Sequence, residues 1–266
     1  MKTVVITGSA RGFGYAMMEE FYKRDYNVVL CDINEEELDH AKKKLEDISS
    51  KGKILAYKMD VTKEEEIQNL ILKVLENVKT IDIWINNAGV NQPQKAIWEL
   101  DEKEINTIID VDLKGTIYGS KVAMEEMSKR HKGAIYNVEG YGSNNAHMLG
   151  LNMYGTSKRA VTHFTESLAL ESKEKNTGVI VGKLSPGIMI TQFTTHALGN
   201  NQINLSEKTK KVYNILGDIP ETVGKFLVDK MVNNTKNNVR IEWLTTKKAF
   251  IRFLTAGFNK RNFFKN

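Results

Sequence analysis

The sequence predicts an α/β domain, a doubly wound parallel sheet of six to seven strands held between two layers of helices as a single domain. Three observations carry this. Short β-branched runs alternate with longer helical patterns, which is the texture of successive βαβ units. The strand runs are apolar on both alternating sets of positions, as in Ile81, Ile83, Trp84 and Ile85, and this suits a sheet covered on both faces. The chain of 266 residues has no repeat and only three prolines, at 93, 186 and 220, so nothing in it reads as an interdomain linker.

Taken in order, the pattern predicts strand 3–6, helix 14–24, strand 27–32, helix 35–47, strand 53–59 and a helix near 63–77. It continues with strand 81–86, one long helix near 102–130, strand 133–138, a helix near 153–174 and strand 178–184. After Pro186-Gly187 the texture changes. Residues 188–217 are polar, rich in Thr and Asn and weakly periodic, as expected of a loop that covers a substrate. The main domain is expected to span residues 1–244, with a basic amphipathic tail at 245–266.

Apolar residues make up 41% and charged residues 27%, so composition gives no argument for disorder. Cys31 is the single cysteine; it lies in an apolar strand, where burial is the expectation, and no intramolecular disulfide is possible. The net charge of +5 is unevenly placed, because residues 236–266 carry eight Lys or Arg against one Glu, leaving −2 for the rest. A body of that charge lacks the dense cationic face that phosphate backbones require, which argues against nucleic-acid binding. No apolar run approaches the ~18 residues of a membrane span and no secretory pattern opens the sequence, so the cytoplasm is the expected location. No metal-ligand cluster is expected.

Thr7-Gly8-Ser9-Ala10-Arg11-Gly12-Phe13-Gly14 follows the first strand and opens a helix. Gly8 suits a tight turn, Gly12 lets backbone approach a pyrophosphate, and Gly14 allows close helix-to-strand packing, while the helix start offers free amides and a positive dipole end. The second strand ends at Asp32, 18 residues past Gly14, about where a ribose 2′-hydroxyl is held in a dinucleotide-binding Rossmann fold; Ile33 follows it. Asp32 favours NAD, since a 2′-phosphate would face an anion. Arg11, in the same loop, offsets that repulsion, and NADP is not excluded.

Five ordered motifs over roughly residues 1–240 together resemble the short-chain dehydrogenase/reductase family. They are the glycine loop, Asp60-Val61, Asn86-Asn87-Ala88-Gly89, Tyr154-Gly155-Thr156-Ser157-Lys158, and Pro186-Gly187-Ile188-Met189-Ile190-Thr191. The resemblance implies that Asp60 and Val61 contact the adenine, that Asn87, Ala88 and Gly89 form the cofactor-side turn, and that Pro186, Gly187 and Thr191 lie beside the nicotinamide carboxamide. Tyr154 and Lys158, four apart and so on one helix face, are the expected catalytic pair. A phenol with a pKa near 10 is a poor base at neutral pH; the Lys158 ammonium is expected to lower it and to hold the ribose.

Two positions depart from the family pattern. Where the family places a serine after the fifth strand, Asn137-Val138-Glu139-Gly140 has a glycine; the nearest hydroxyls belong to Tyr141 and Ser143, and the serine role passes to Ser143, which otherwise reads as a turn residue. Asp112 stands where the family carries an asparagine of the proton relay, and an ionised carboxylate cannot donate a hydrogen bond. The run 137–143 is also similar to the chlorophyll(ide) b reductase group within the family, which implies a bulky, hydrophobic carbonyl or alcohol substrate.

In the tail, Phe250, Phe253, Leu254, Gly257 and Phe258 recur at helical spacing among Lys247, Lys248, Arg252, Lys260 and Arg261. This composition fits peripheral contact with an anionic membrane, or a helix packed on its own domain or on a neighbouring subunit. The long helices leave a homodimer or homotetramer as the expected assembly. The leading function is an NAD-linked oxidoreductase interconverting a secondary alcohol and a ketone or aldehyde. The alternative is an NAD(P)-binding regulator or scaffold with a degenerate site. An epimerase or dehydratase of nucleotide sugars shares Tyr-x-x-x-Lys but generally needs a longer C-terminal substrate domain.

Overall fold

A computed structural model describes residues 1–196, 198, 203, 205–258 and 261–264. Part of the expected covering segment (197, 199–202 and 204) and Lys260 of the tail lie outside those residues. The sheet has seven parallel strands in the order β3-β2-β1-β4-β5-β6-β7: β1 (Thr3–Thr7), β2 (Asn27–Asp32), β3 (Ile54–Lys58), β4 (Ile83–Asn86), β5 (Gly133–Val138), β6 (Val179–Ser185) and β7 (Val239–Glu242). Alternation along each strand fills two cores. Val4, Ile6, Val28 and Leu30 face α1 (Gly12–Tyr22), α2 (Glu35–Glu46) and α9 (Pro220–Val232). Val5, Val29, Cys31 and Trp84 face α3 (Glu64–Asn77) and α5 (Gly115–Ser128). Three layers result, as period-2 strands with two apolar sides require.

Local signals set the helix starts. Asn34 caps α2 by accepting from Glu37 N at 3.1 Å, and three glutamates in its first turn with two lysines in its last complement the helix dipole. No side chain caps α1, so its first-turn amides keep their donors free of side-chain acceptors.

Two expectations need correction and two elements went unassigned. The long helix at 102–130 is α4 (Glu102–Ile108) and α5 joined by a π-helical segment, Ile109–Lys114. The wider turn brings Asp112 fully inside, where its Oδ1 accepts from Val90 N at 2.7 Å. The segment after β6 is not all loop: it contains α7 (Gln192–Thr195) and α8 (Glu207–Leu216), the latter capped by Ser206. It leaves and rejoins the body at a single parallel bridge, Met189 with Asp218. β7 and α9 carried too little pattern to be assigned. Beyond β7, α6 (Asn152–Glu174) having packed against β6 earlier in the chain, the last element is α10 (Thr246–Thr255), which rests on α8.

Candidate active site

Strand order reverses between β1 and β4, whose C-terminal ends open a crevice at the switch point where doubly wound sheets bind ligands. Thr7 ties the two strands together there: its Oγ1 accepts from Asn87 N and from Ala88 N, each at 3.0 Å. Asn87 Nδ2 answers by donating to Thr7 O at 3.0 Å and Gly8 O at 2.9 Å. Gly8 has a φ of +63°, and a Cβ on it would meet Ala88 Cα at 2.8 Å, so only glycine suits this turn. A Cβ at Gly12 would meet nothing within 4 Å, which leaves open space before the uncapped start of α1 where Phe13 and Gly14 begin the helix.

Asp32 sits at the end of β2, fixed by Ala10 N at 3.3 Å and Asn34 N at 3.2 Å, with Ile33 exposed beside it. Asp60 accepts from Thr62 N and Oγ1, and Val61 is buried against Gly115. Arg11 reaches across to donate to Gln192 Oε1 at 2.8 Å, and so bridges the glycine loop and α7. Pro186 is buried, Gly187 has a φ of +74°, and Thr191 precedes α7.

Tyr154 and Lys158 lie on the first turns of α6, both buried, with the Lys158 Nζ 5.6 Å from the Tyr154 ring centroid. A Cβ at Gly89 would fall 3.5 Å from Lys158 Nζ, and one at Gly140 would fall within 2.3 Å of Tyr154 Oη. The pair therefore faces the turn that is hydrogen-bonded to the glycine loop. Phe193 closes the other side of Tyr154, ring to ring at 5.9 Å.

The expectation that Lys158 makes the Tyr154 phenol acidic is reversed in this arrangement. Burial, followed by the Asp112 carboxylate, pushes the Tyr154 pKa up. Asp112 Oδ2 stands 3.6 Å from Lys158 Nζ and offsets its charge. Burial likewise raises the Asp112 pKa, against the opposing pull of Lys158.

Ser143 also differs from expectation. Its Oγ donates to Lys158 O and accepts from Gly140 N, each at 3.2 Å, so its one proton is committed to the helix backbone. In this conformation it braces the loop after β5 and offers no donor to a substrate oxygen. Glu139, which precedes Gly140, is buried and held by Thr162 Oγ1 at 2.9 Å and Arg240 Nε at 2.7 Å.

Sequence reasoning missed Gln92. It is fully buried, its Oε1 accepts from Tyr154 N at 3.0 Å, and its Nε2 has no partner among the described residues. Its nearness to the Asn-Asn-Ala-Gly turn was the only available signal. Among the described residues no cluster of His, Cys, Asp and Glu suits a metal ion.

A crevice at the strand switch, an uncapped helix behind a glycine turn and a buried Tyr/Lys pair facing it define a dinucleotide-fold oxidoreductase scaffold. The family model for short chain dehydrogenases matches residues 2–202, and the chain belongs to the short-chain dehydrogenase family. It is 30% identical over 279 aligned residues to the probable chlorophyll(ide) b reductase NYC1 of Arabidopsis thaliana, covering 99% of this chain but 54% of that protein, about half its length. It is 31% identical to the chlorophyll(ide) b reductase NOL of the same plant, covering 95% of this chain and 70% of that one. A solved serine dehydrogenase complexed with NADP+ shares the fold with a TM-score of 0.78 at 23% identity, over 92% of this chain and 95% of that one.

Proposed function

We propose that this chain binds NAD and interconverts a bulky hydrophobic ketone or aldehyde with its alcohol, with Tyr154 as the proton-transferring residue. The carrying observation is that Tyr154 and Lys158 are buried together against Gly89, on the turn fastened to the glycine loop, and Gly140, in the loop after β5. The residues present fit a dinucleotide: open space at Gly12 and the uncapped start of α1 suit a pyrophosphate, and Asp32 suits a ribose hydroxyl. When bound, the reduced nicotinamide supplies a hydride. Tyr154 Oη supplies the matching proton to the substrate oxygen, and its raised pKa keeps that proton in place at neutral pH. Lys158 holds the ribose side and Asp112 fixes Lys158. Asp60, Val61 and Ile33 would line the adenine, and Thr191 with Pro186 and Gly187 the carboxamide. The ring of Phe193 near Tyr154 supports an apolar substrate.

A binding-module reading is favoured by Gly140, which brings no hydroxyl where the family has a serine, and by the committed proton of Ser143. One experiment separates the two. NADH oxidation is followed against ketones, aldehydes and bulky lipophilic carbonyls, with NADH binding read by fluorescence. Turnover that vanishes in Tyr154→Phe while NADH binding persists supports the enzyme. Tight NADH binding without turnover on any substrate supports the binding module, and absence of NADH binding overturns both.

A further inference from the structure

The helix α10 is packed with its charged side inward. Phe250, Leu254 and Phe258 stand four apart and lie on one side of the helix and its C-terminal turn. They point away from the protein: Phe250 is 63% exposed, Leu254 67% and Phe258 92%, with Ile251 and Phe253 half exposed beside them. The opposite side carries Arg252, which donates to Asp218 Oδ2 at 2.6 Å and Leu216 O at 2.8 Å. Arg261 reinforces the same anchor by donating to Asp218 Oδ1 at 3.1 Å. An amphipathic helix that spends its cation on docking and leaves its apolar stripe in water is a surface in want of a partner.

Charge identifies that partner. No acidic residue occurs from Trp243 to the last residue given, Lys247 is exposed, and the neighbouring α8 adds exposed Lys208 and Lys211, its Glu207 being paired with Lys210. A second copy of this chain docking symmetrically would set these cations against themselves, which is repulsive. An anionic bilayer takes both parts, the apolar stripe in its acyl boundary and the lysines at its headgroups. Among the described residues no helix is long and apolar enough to cross a membrane, so the contact is peripheral.

We propose that α10 and α8 seat this protein on an anionic lipid surface, and that the seat lies over the catalytic cleft. α8 belongs, with α7, to the segment whose ends meet at the Met189–Asp218 bridge; α7 sets Phe193 against Tyr154 at 5.9 Å between ring centroids, and Phe264 of the tail rests on Tyr213 of α8 at 6.3 Å. A lipophilic substrate would then pass from bilayer to cleft beneath the same cap. That last use rests on the hydrophobic-substrate reading above, whereas the membrane contact does not.

The test is flotation of the full chain with phosphatidylcholine vesicles, with and without phosphatidylglycerol, alongside light-scattering mass and NADH binding. The full chain is expected to float with the phosphatidylglycerol vesicles alone and to be released by salt. The double variant Phe250→Asp/Leu254→Asp is expected to lose about tenfold or more in partition coefficient with NADH affinity unchanged. A second double variant, Lys208→Glu/Lys211→Glu, lies outside the apolar stripe and is expected to weaken the preference for phosphatidylglycerol even where the first variant does not fold. No flotation, equal flotation of both variants and the parent, or an apolar-stripe variant that instead lowers the mass in solution overturns the proposal, the last by assigning the face to self-contact. Flotation without NADH binding leaves the membrane contact standing and removes only the oxidoreductase reading.

Discussion

Asp112 Oδ2 lies 3.6 Å from Lys158 Nζ, with both side chains shut away from solvent. A carboxylate at this place subtracts from the positive field that would otherwise favour phenolate on Tyr154. Under the proposed function the oxidative direction would need Tyr154 as a base, so its rate would rise with pH through the phenol's pKa; the reductive direction would need the acid and stay level across neutral pH. Asp112→Asn removes the anion and lowers that pKa. The oxidative limb of the kcat/KM profile is expected to move to lower pH, measured in both directions on the same protein. An unmoved limb would show that Asp112 does not act on the phenol.

Gly140 lies under the Tyr154 hydroxyl. A Cβ there would fall within 2.3 Å of Tyr154 Oη and 3.1 Å from Lys158 Cγ, so Gly140→Ala must displace the phenol. Misplacement by about 1 Å is enough to cost on the order of 100-fold in kcat. The expected outcome is that loss with the melting temperature and NADH affinity nearly unchanged.

The glycine loop separates binding from folding. A Cβ at Gly14 would meet Gly8 O within 2.3 Å, so Gly14→Ala is expected to fail as a folded protein or to melt far lower. At Gly12 the space is open but φ is +57°, so Gly12→Ala costs about 1–2 kcal/mol in backbone strain. Its larger effect is expected on NADH affinity, because the methyl group would enter the open space proposed for the pyrophosphate. Melting and titration on the two variants check the contrast.

Glu139 is buried and its Oε2 is held by Arg240. Arg240→Ala leaves a buried carboxylate with Thr162 alone. Breaking such a pair from one side is expected to cost about 3 kcal/mol, since Arg240 is itself partly exposed. Chemical denaturation measures it, and Glu139→Gln in the same background should recover part of the loss.

Lys248 lies over the Trp243 ring, and burial followed by the nearby Arg252 lowers its pKa from 10.5 to about 8. From about pH 8 to 10.5 the folded chain has shed a proton that the unfolded chain still holds, so this group adds stability as pH rises through that window. Below it both states are protonated and the penalty on the folded state is complete. Relative to Lys248→Met, the parent's melting temperature is expected to rise across the window; a parallel course would remove Lys248 as the cause.

The sheet was legible because its strands are apolar on both alternating faces, a pattern few other structures require. Strands β2 and β5 fall at the expected residues for this reason. The π-helical segment was not legible, because Ile109–Lys114 has the composition of ordinary helix and differs only in where Asp112 points. β7 is four residues long, too short to show alternation. At the site, Tyr154, Lys158 and the glycine loop could be read because turn chemistry and helical spacing constrain them locally. The engagement of Ser143 with Lys158 O and the seat of Gln92 against Tyr154 depend on contacts between distant segments, and no local pattern encodes those.

The bridge between Met189 and Asp218 makes the segment over the cleft a ring gathered at its neck. Ile190 N donates to Asp218 O and Asp218 N to Ile188 O, each at 3.0 Å, while the Asp218 side chain holds Trp243, Arg252 and Arg261. The two ends of the segment and α10 therefore share one anchoring residue, so whatever grips α10 from outside bears on Asp218 as well.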